Sequence, residues 1–179
     1  MKKICLLAFS LLIFLLSFNI SFAQENLATP ESSVKYQLPY PGLLPDNPLY
    51  ILRVIRDRIV SFLISDPRRK SEFDLLQADK RLNAGIFLFD KGSVSLSVST
   101  ISKAENYFQE AIQNAEEAKR EGIDVTEVAN NLINSARKHQ EVLSNLKDKS
   151  PEDSQANFMT QYKRVADFQK EVASLKSKK

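Results

Sequence analysis

Apolar residues divide this chain into an N-terminal hydrophobic run, a proline-rich stretch, and five segments in which they recur at three- and four-residue steps. Leu52, Ile55, Ile59, Phe62 and Leu63 keep that spacing after Asn47-Pro48, a capping residue followed by proline at the first helical position. The pattern predicts a helix over 47–64 with this stripe on its apolar face. Asp66-Pro67 repeats the start signal, Leu75, Ala78, Leu82, Ile86 and Phe89 supply the next stripe, and Gly92 suits a C-terminal cap, so a second helix is expected over 66–91. Residues 93–102 alternate with period two, but a single strand would have no partner. Positions 94, 97, 101, 104, 108, 111, 115 and 118 keep helical spacing, which predicts a helix over 93–121 ended by Gly122. Asp124 with Glu127 reads as a cap pair for a helix over 124–149, whose seam runs through Ala129, Leu132, Ala136, His139 and Leu143. Ser150-Pro151-Glu152-Asp153 reads as a capping box that opens a last helix over 151–176, with Phe158, Tyr162, Val165, Phe168, Val172 and Leu175 on one side. The basic tail Lys176, Lys178 and Lys179 suits the negative end of that helix's dipole.

Connections of two to five residues make sequence neighbours antiparallel. The expected fold is therefore all-α: an antiparallel bundle of about five helices over 47–179, with coiled-coil-like seams and the last three helices in an up-down-up array. Ala104, Ala111, Ala115 and Ala118 form a seam of small residues that predicts close helix approach. Before the bundle, 24–46 reads as a polar lead-in and an extended strap in which Tyr36, Leu38, Tyr40, Leu43 and Leu44 are interleaved with prolines that forbid helix. Burial of those side chains against the small entropy of a proline-stiffened chain favours a latch lying along the bundle. The rival is a recognition peptide for a partner domain.

Met1-Lys2-Lys3, the apolar run Ile4 to Phe18, and the small residues of Ser21-Phe22-Ala23 have the layout of a signal peptide over 1–23, with cleavage between Ala23 and Gln24. The rival is an uncleaved anchor, for which the run is short against roughly 30 Å of hydrocarbon. The chain is expected to be exported, to the periplasm, the cell surface or the medium. Cleavage removes Cys5, Lys2 and Lys3, so 25 − 2 = 23 basic residues then face 22 acidic ones. A net charge of +1 excludes a nucleic-acid footprint, and a thiol-free exported chain must hold its fold by burial alone.

Little in the chain suggests chemistry. His139 is the only histidine and falls on a helical seam, where a neutral packing role is expected. Glu116-Glu117 and the Glu110/Asn114 pair lack a calcium-loop pattern, and the serines of 93–102 lack a nucleophile elbow. No dinucleotide, P-loop or zinc-protease motif occurs. Hence no catalytic, cofactor-binding or metal-ligating residue is expected, no cofactor, no small-molecule substrate and no enzyme. Arg53, Arg56, Asp57 and Arg58 on the first helix and Asp79, Lys80 and Arg81 on the second are expected to face one another as a half-buried Arg–carboxylate pair; an anion-binding groove is the alternative.

The stretch Leu-Pro-Tyr-Pro-Gly-Leu-Leu-Pro-Asp-Asn-Pro-Leu-Tyr (38–50), with Arg56-Asp57-Arg58, Ser65-Asp66-Pro67, Ala78-Asp79-Lys80-Arg81-Leu82 and Ser99 to Tyr107, resembles the family called domain of unknown function 5667. The resemblance runs from about Leu38 to Ala118. It implies an exported or membrane-tethered bacterial helical domain with no established activity, and it transfers no site residues. The expected function is a non-enzymatic extracytoplasmic module that binds a protein or envelope component. The alternative is a periplasmic stress chaperone or metal-responsive helical protein, against which stand the missing Leu-Thr-x-x-Gln motif and the scarcity of His and Met.

Overall fold

A computed structural model describes residues 35–177, so the expected signal peptide, its cleavage site and the polar lead-in before Lys35 lie outside the described residues. Five helices follow the strap: α1 Tyr50–Leu63, α2 Pro67–Asp90, α3 Val94–Arg120, α4 Thr126–Lys149 and α5 Glu152–Ser177. No strand occurs among the described residues, and 94–102 is helical. The fold is an all-α helical bundle.

Local chemistry sets the helix ends. Asp66 Oδ1 accepts from the Arg69 amide at 3.0 Å with Pro67 in the first turn, as a helix start requires. Gly92 and Gly122 adopt φ of +79° and +80°. Each allows the amide that follows it to reach back five residues, Ser93 to the Leu88 carbonyl and Ile123 to the Ala118 carbonyl, both at 2.9 Å. Two expected caps are built differently. Asp124 Oδ1 accepts from the amide and hydroxyl of Thr126, and Glu127 lies 3.4 Å from Arg68 instead of turning back. Ser150 Oγ donates to the Leu146 carbonyl at 2.6 Å, closing α4 rather than opening α5, because that carbonyl has no helical partner of its own.

α2 and α3 form an antiparallel hairpin: Ser71 Oγ donates to the Ala111 carbonyl towards one end, and Ser97 Oγ to the Gly85 carbonyl at the other. α4 and α5 form a second hairpin across Ser150-Pro151, with Gln169 donating to Gln140. The hairpins lie side by side, α3 against α5 and α2 against α4. These cross-hairpin pairs run parallel, as Arg164 to Asn106 and Lys119 to the Leu175 carbonyl show on one side, and Arg68 to Glu127 and Ser135 to Asp79 on the other. Sequence neighbours therefore alternate in direction, but α3 and α4 sit diagonally and touch little, so the last three helices are not a side-by-side array. The apolar residues of α3 are shared between α2 and α5 instead: Gly85 meets Ile101, and Phe108 stacks on Phe168 with ring centroids 5.4 Å apart. Ala104, Ala111, Ala115 and Ala118 are fully buried.

The strap runs along α2. Tyr36 reaches Asp79, the Asn83 amide donates to the Pro39 carbonyl at 2.9 Å, and Leu38 packs on the core. Lys91 pairs with Asp46 at 2.9 Å. Of the five apolar strap residues, Tyr36, Leu38 and Leu44 are half-buried, whereas Tyr40 and Leu43 remain exposed.

Closest approach of α2 and α3 depends on Gly85, where an added Cβ would lie 2.3 Å from Ile101 Cγ1. Gly85→Ala should lower stability by about 1–3 kcal/mol through overpacking. In denaturant unfolding, Gly85→Ala combined with Ile101→Ala should cost less than the two single changes added together.

Candidate functional site

The polar groups of the core gather on His139. Its Nδ1 lies 3.0 Å from Glu105 Oε1 on α3 and its Nε2 3.0 Å from Asp79 Oδ1 on α2. His139 and Glu105 are fully buried and Asp79 nearly so. Burial alone would keep the imidazole neutral, but the Glu105 carboxylate, followed by Asp79, outweighs it and raises the His139 pKa to about 9. The expected neutral packing histidine is thus an imidazolium held between two carboxylates, with the Phe108 ring in T-shaped contact at 5.1 Å between centroids.

Two carboxylates around one imidazolium leave a negative charge over, and hydroxyl donors disperse it. Ser135 Oγ donates to Asp79 Oδ1 at 2.5 Å and Tyr36 Oη donates to Asp79 Oδ2 at 2.6 Å. Burial and the Asp79 carboxylate push the Tyr36 phenol above its ordinary range, so it stays a donor. Glu105 was not singled out from the chain, although its spacing from Ile101, Phe108 and Ile112 places it on an apolar face. An acid at such a position is the signal that a buried partner exists. Ser135 sits three residues before Lys138 and four before His139, in the same kind of position.

This cluster holds a serine, a histidine and an aspartate but is not wired for nucleophilic catalysis. Ser135 donates to Asp79 rather than to the imidazole, and both ring nitrogens are committed to carboxylates. Among the described residues no group of His, Cys, Asp and Glu is arranged to hold a metal. The other acidic candidates are ordinary partners. Asn114 donates to Asp74, whose carboxyl is raised to about 6 by burial and then by Glu110, and Glu117 pairs with Arg120. A shallow polar depression of about 310 Å³ on α3, lined by Asn106, Gln109, Glu110 and Gln113, offers no nucleophile.

The expected pairing of α1 arginines with Asp79 is not formed, because Asp79 is taken by His139. The arginines instead surround Asp57 in their own helix: Arg53 Nε stands 3.6 Å from Asp57 Oδ2, and Arg56 Nη2 2.7 Å from Oδ1. Arg53 also donates to the Pro41 and Leu43 carbonyls and so ties α1 to the strap. Asp57 is the one buried residue of α1. That burial turns the helix over. Tyr50, Val54, Asp57, Ser61 and Ile64 lie towards the protein, and the stripe of Leu52, Ile55, Ile59, Phe62 and Leu63 lies away from it. Phe62 is 86% exposed and Leu63 71%, with Ile51, Leu52, Ile55 and Ile59 all more than half exposed. At 100° per residue these six span a band about 120° wide. Arg58 borders one edge and Arg56 the other, both exposed. Six large apolar side chains therefore stand together on one exposed helix face, where a folded chain ordinarily leaves such residues scattered singly.

A histidine pKa raised on folding adds stability that is complete below its unfolded value of about 6.5 and is lost as pH rises through the folded value. Denaturant unfolding should show stability falling by a few kcal/mol between about pH 6.5 and the His139 pKa of about 9. His139→Gln should remove this decline, and Asp79→Asn should destabilise at neutral pH by about 3–5 kcal/mol by breaking a buried ion pair. Tyr36→Phe removes a hydrogen bond to a charged acceptor and should cost about 1.5–3 kcal/mol.

Neither the comparison with curated proteins nor that with solved structures finds a match. The sequence model of a Domain of unknown function (DUF5667) matches residues 42–153, from the turn of the strap through α1, α2, α3 and α4 to the first residues of α5. The matched region contains the whole of α1 and the Asp79, Glu105 and His139 cluster, and reaches further along the chain than the resemblance over 38–118. Covering more than half of the sequence, this match establishes that the chain belongs to the DUF5667 family.

Proposed function

We propose that the protein is a non-enzymatic helical module that acts outside the cytoplasm and binds a protein or envelope component through the outward face of α1. The observation that carries this reading is the inverted placement of α1, whose polar side is buried and whose apolar side is exposed. Left in water, that face forgoes roughly 1.5–3 kcal/mol for each large side chain that a partner would bury. Hence the face has value only when it is covered. The absence of enzymatic activity is supported by the commitment of both His139 nitrogens inside the core. Export is supported by the Met1-to-Ala23 pattern of charge, apolar run and small residues.

Capture from a cell-envelope fraction with the full chain tests the reading when it is paired with an Ile55→Ser/Phe62→Ser variant. Both positions are exposed, so the melting temperature should stay within about a degree or two of the parent. The envelope components held by the parent should be lost by the variant. A captured set that the substitutions leave unchanged would place binding elsewhere, with the strap around exposed Tyr40 the next surface to test. Mass spectrometry of the exported form should find its N terminus at Gln24.

A further inference from the structure

We infer that the outward face of α1 docks flat on an anionic lipid bilayer, with the apolar band among the acyl chains and Arg58 at the level of the lipid phosphates. The inference rests on the reading that α1 carries the binding surface, and it names the partner.

Charge on the face points to lipid. Asp57 is the only acid in α1, and it is turned inward against Arg53 and Arg56. The outward surface therefore carries an apolar centre with exposed Arg58 along one edge and no carboxylate, Arg56 at the other edge being held by Asp57. Arginine stems can lie along an apolar surface while their heads stay at the headgroup level. An anionic bilayer supplies both matching elements, a hydrocarbon interior and a dense layer of phosphates. A second copy of the chain supplies a matching apolar band but no anion, because a two-fold pairing of α1 helices would bring only arginines to the edges of the band.

Shape agrees with charge. α1 has 14 residues, fewer than the roughly 20 needed to cross a bilayer, and no described helix is long and apolar enough to span one. It is a single convex helix with its band parallel to its length, which is the form of an in-plane interfacial helix. Docking needs no unpacking, since the polar side is already satisfied by Asp57, by the arginines and by the strap carbonyls of Pro41 and Leu43.

The chain contains no tryptophan, so Phe62→Trp places a single tryptophan, excited apart from the five tyrosines, at the most exposed point of the band. The full chain carrying this change is mixed with vesicles of phosphatidylcholine alone, or of equal parts phosphatidylcholine and phosphatidylglycerol, with and without brominated acyl chains. Whatever the N-terminal segment does, the probe reports only the surroundings of position 62. The expected result is a blue-shifted emission that is quenched by brominated lipid and shielded from acrylamide, at a lower lipid concentration when phosphatidylglycerol is present. Arg58→Gln should raise the phosphatidylglycerol-vesicle concentration for half-maximal quenching about fivefold, and Arg58→Lys should leave it near the parent value. Emission that stays water-like and open to acrylamide on anionic vesicles overturns the lipid assignment. If Ile55→Ser/Phe62→Ser nevertheless abolishes capture of an envelope protein, α1 remains the binding surface with a protein as its partner. If that variant also captures normally, the reading on which the inference rests fails as well.

Discussion

The structure depends on one buried charge interaction, the imidazolium of His139 between the carboxylates of Glu105 and Asp79. These three residues come from α4, α3 and α2, and Tyr36 joins them from the strap. Four chain segments therefore meet at one set of hydrogen bonds that can be satisfied only in one register. An ion pair of this kind adds little to net stability once desolvation is counted, but removing one partner strands a charge in the core. We assign it the role of fixing which faces meet. That role has particular weight here, because α3 and α4 are diagonal and His139 is the main polar bond across the diagonal.

Around this lock the bundle turns its apolar faces inwards, and α1, whose polar side is the buried one, is its exception. Its orientation follows from Asp57, which two arginines hold in the interior at the cost of exposing the opposite side. Arg53 serves both halves of this arrangement, since its guanidinium also binds the strap carbonyls just before α1 begins. The strap, in turn, is fastened by Tyr36 to the central cluster. The strap thus connects core and outward helix, bonded to Asp79 through Tyr36 near its start and to Arg53 through the Pro41 and Leu43 carbonyls further on.

Much of the architecture was legible in the residues. Spacing at three and four residues, Asp66-Pro67 and the glycines at 92 and 122 mark the helices, because helical periodicity and positive φ are local properties. Asp124 and Ser150 were legible as helix-end residues but not in their bonding, since each hydroxyl or carboxylate had two orphan groups within reach. The position of His139 on a seam was legible, but its charge was not, because Glu105 and Asp79 lie on other helices. The outward face of α1 was misjudged for a similar reason. Its apolar stripe has the spacing of a core-facing helix, and periodicity identifies an apolar face without saying which way it points. Asp57 decides the direction, and its burial is a tertiary fact.

The central claim is that His139 is charged at neutral pH. Because it is the only histidine in the chain, nitrogen-15 spectra of the imidazole ring report it without ambiguity. The account predicts that both ring nitrogens have the shifts of a protonated imidazolium at pH 7 and lose them with a midpoint near pH 9. A ring that is neutral at pH 7, with one protonated and one bare nitrogen, would contradict it.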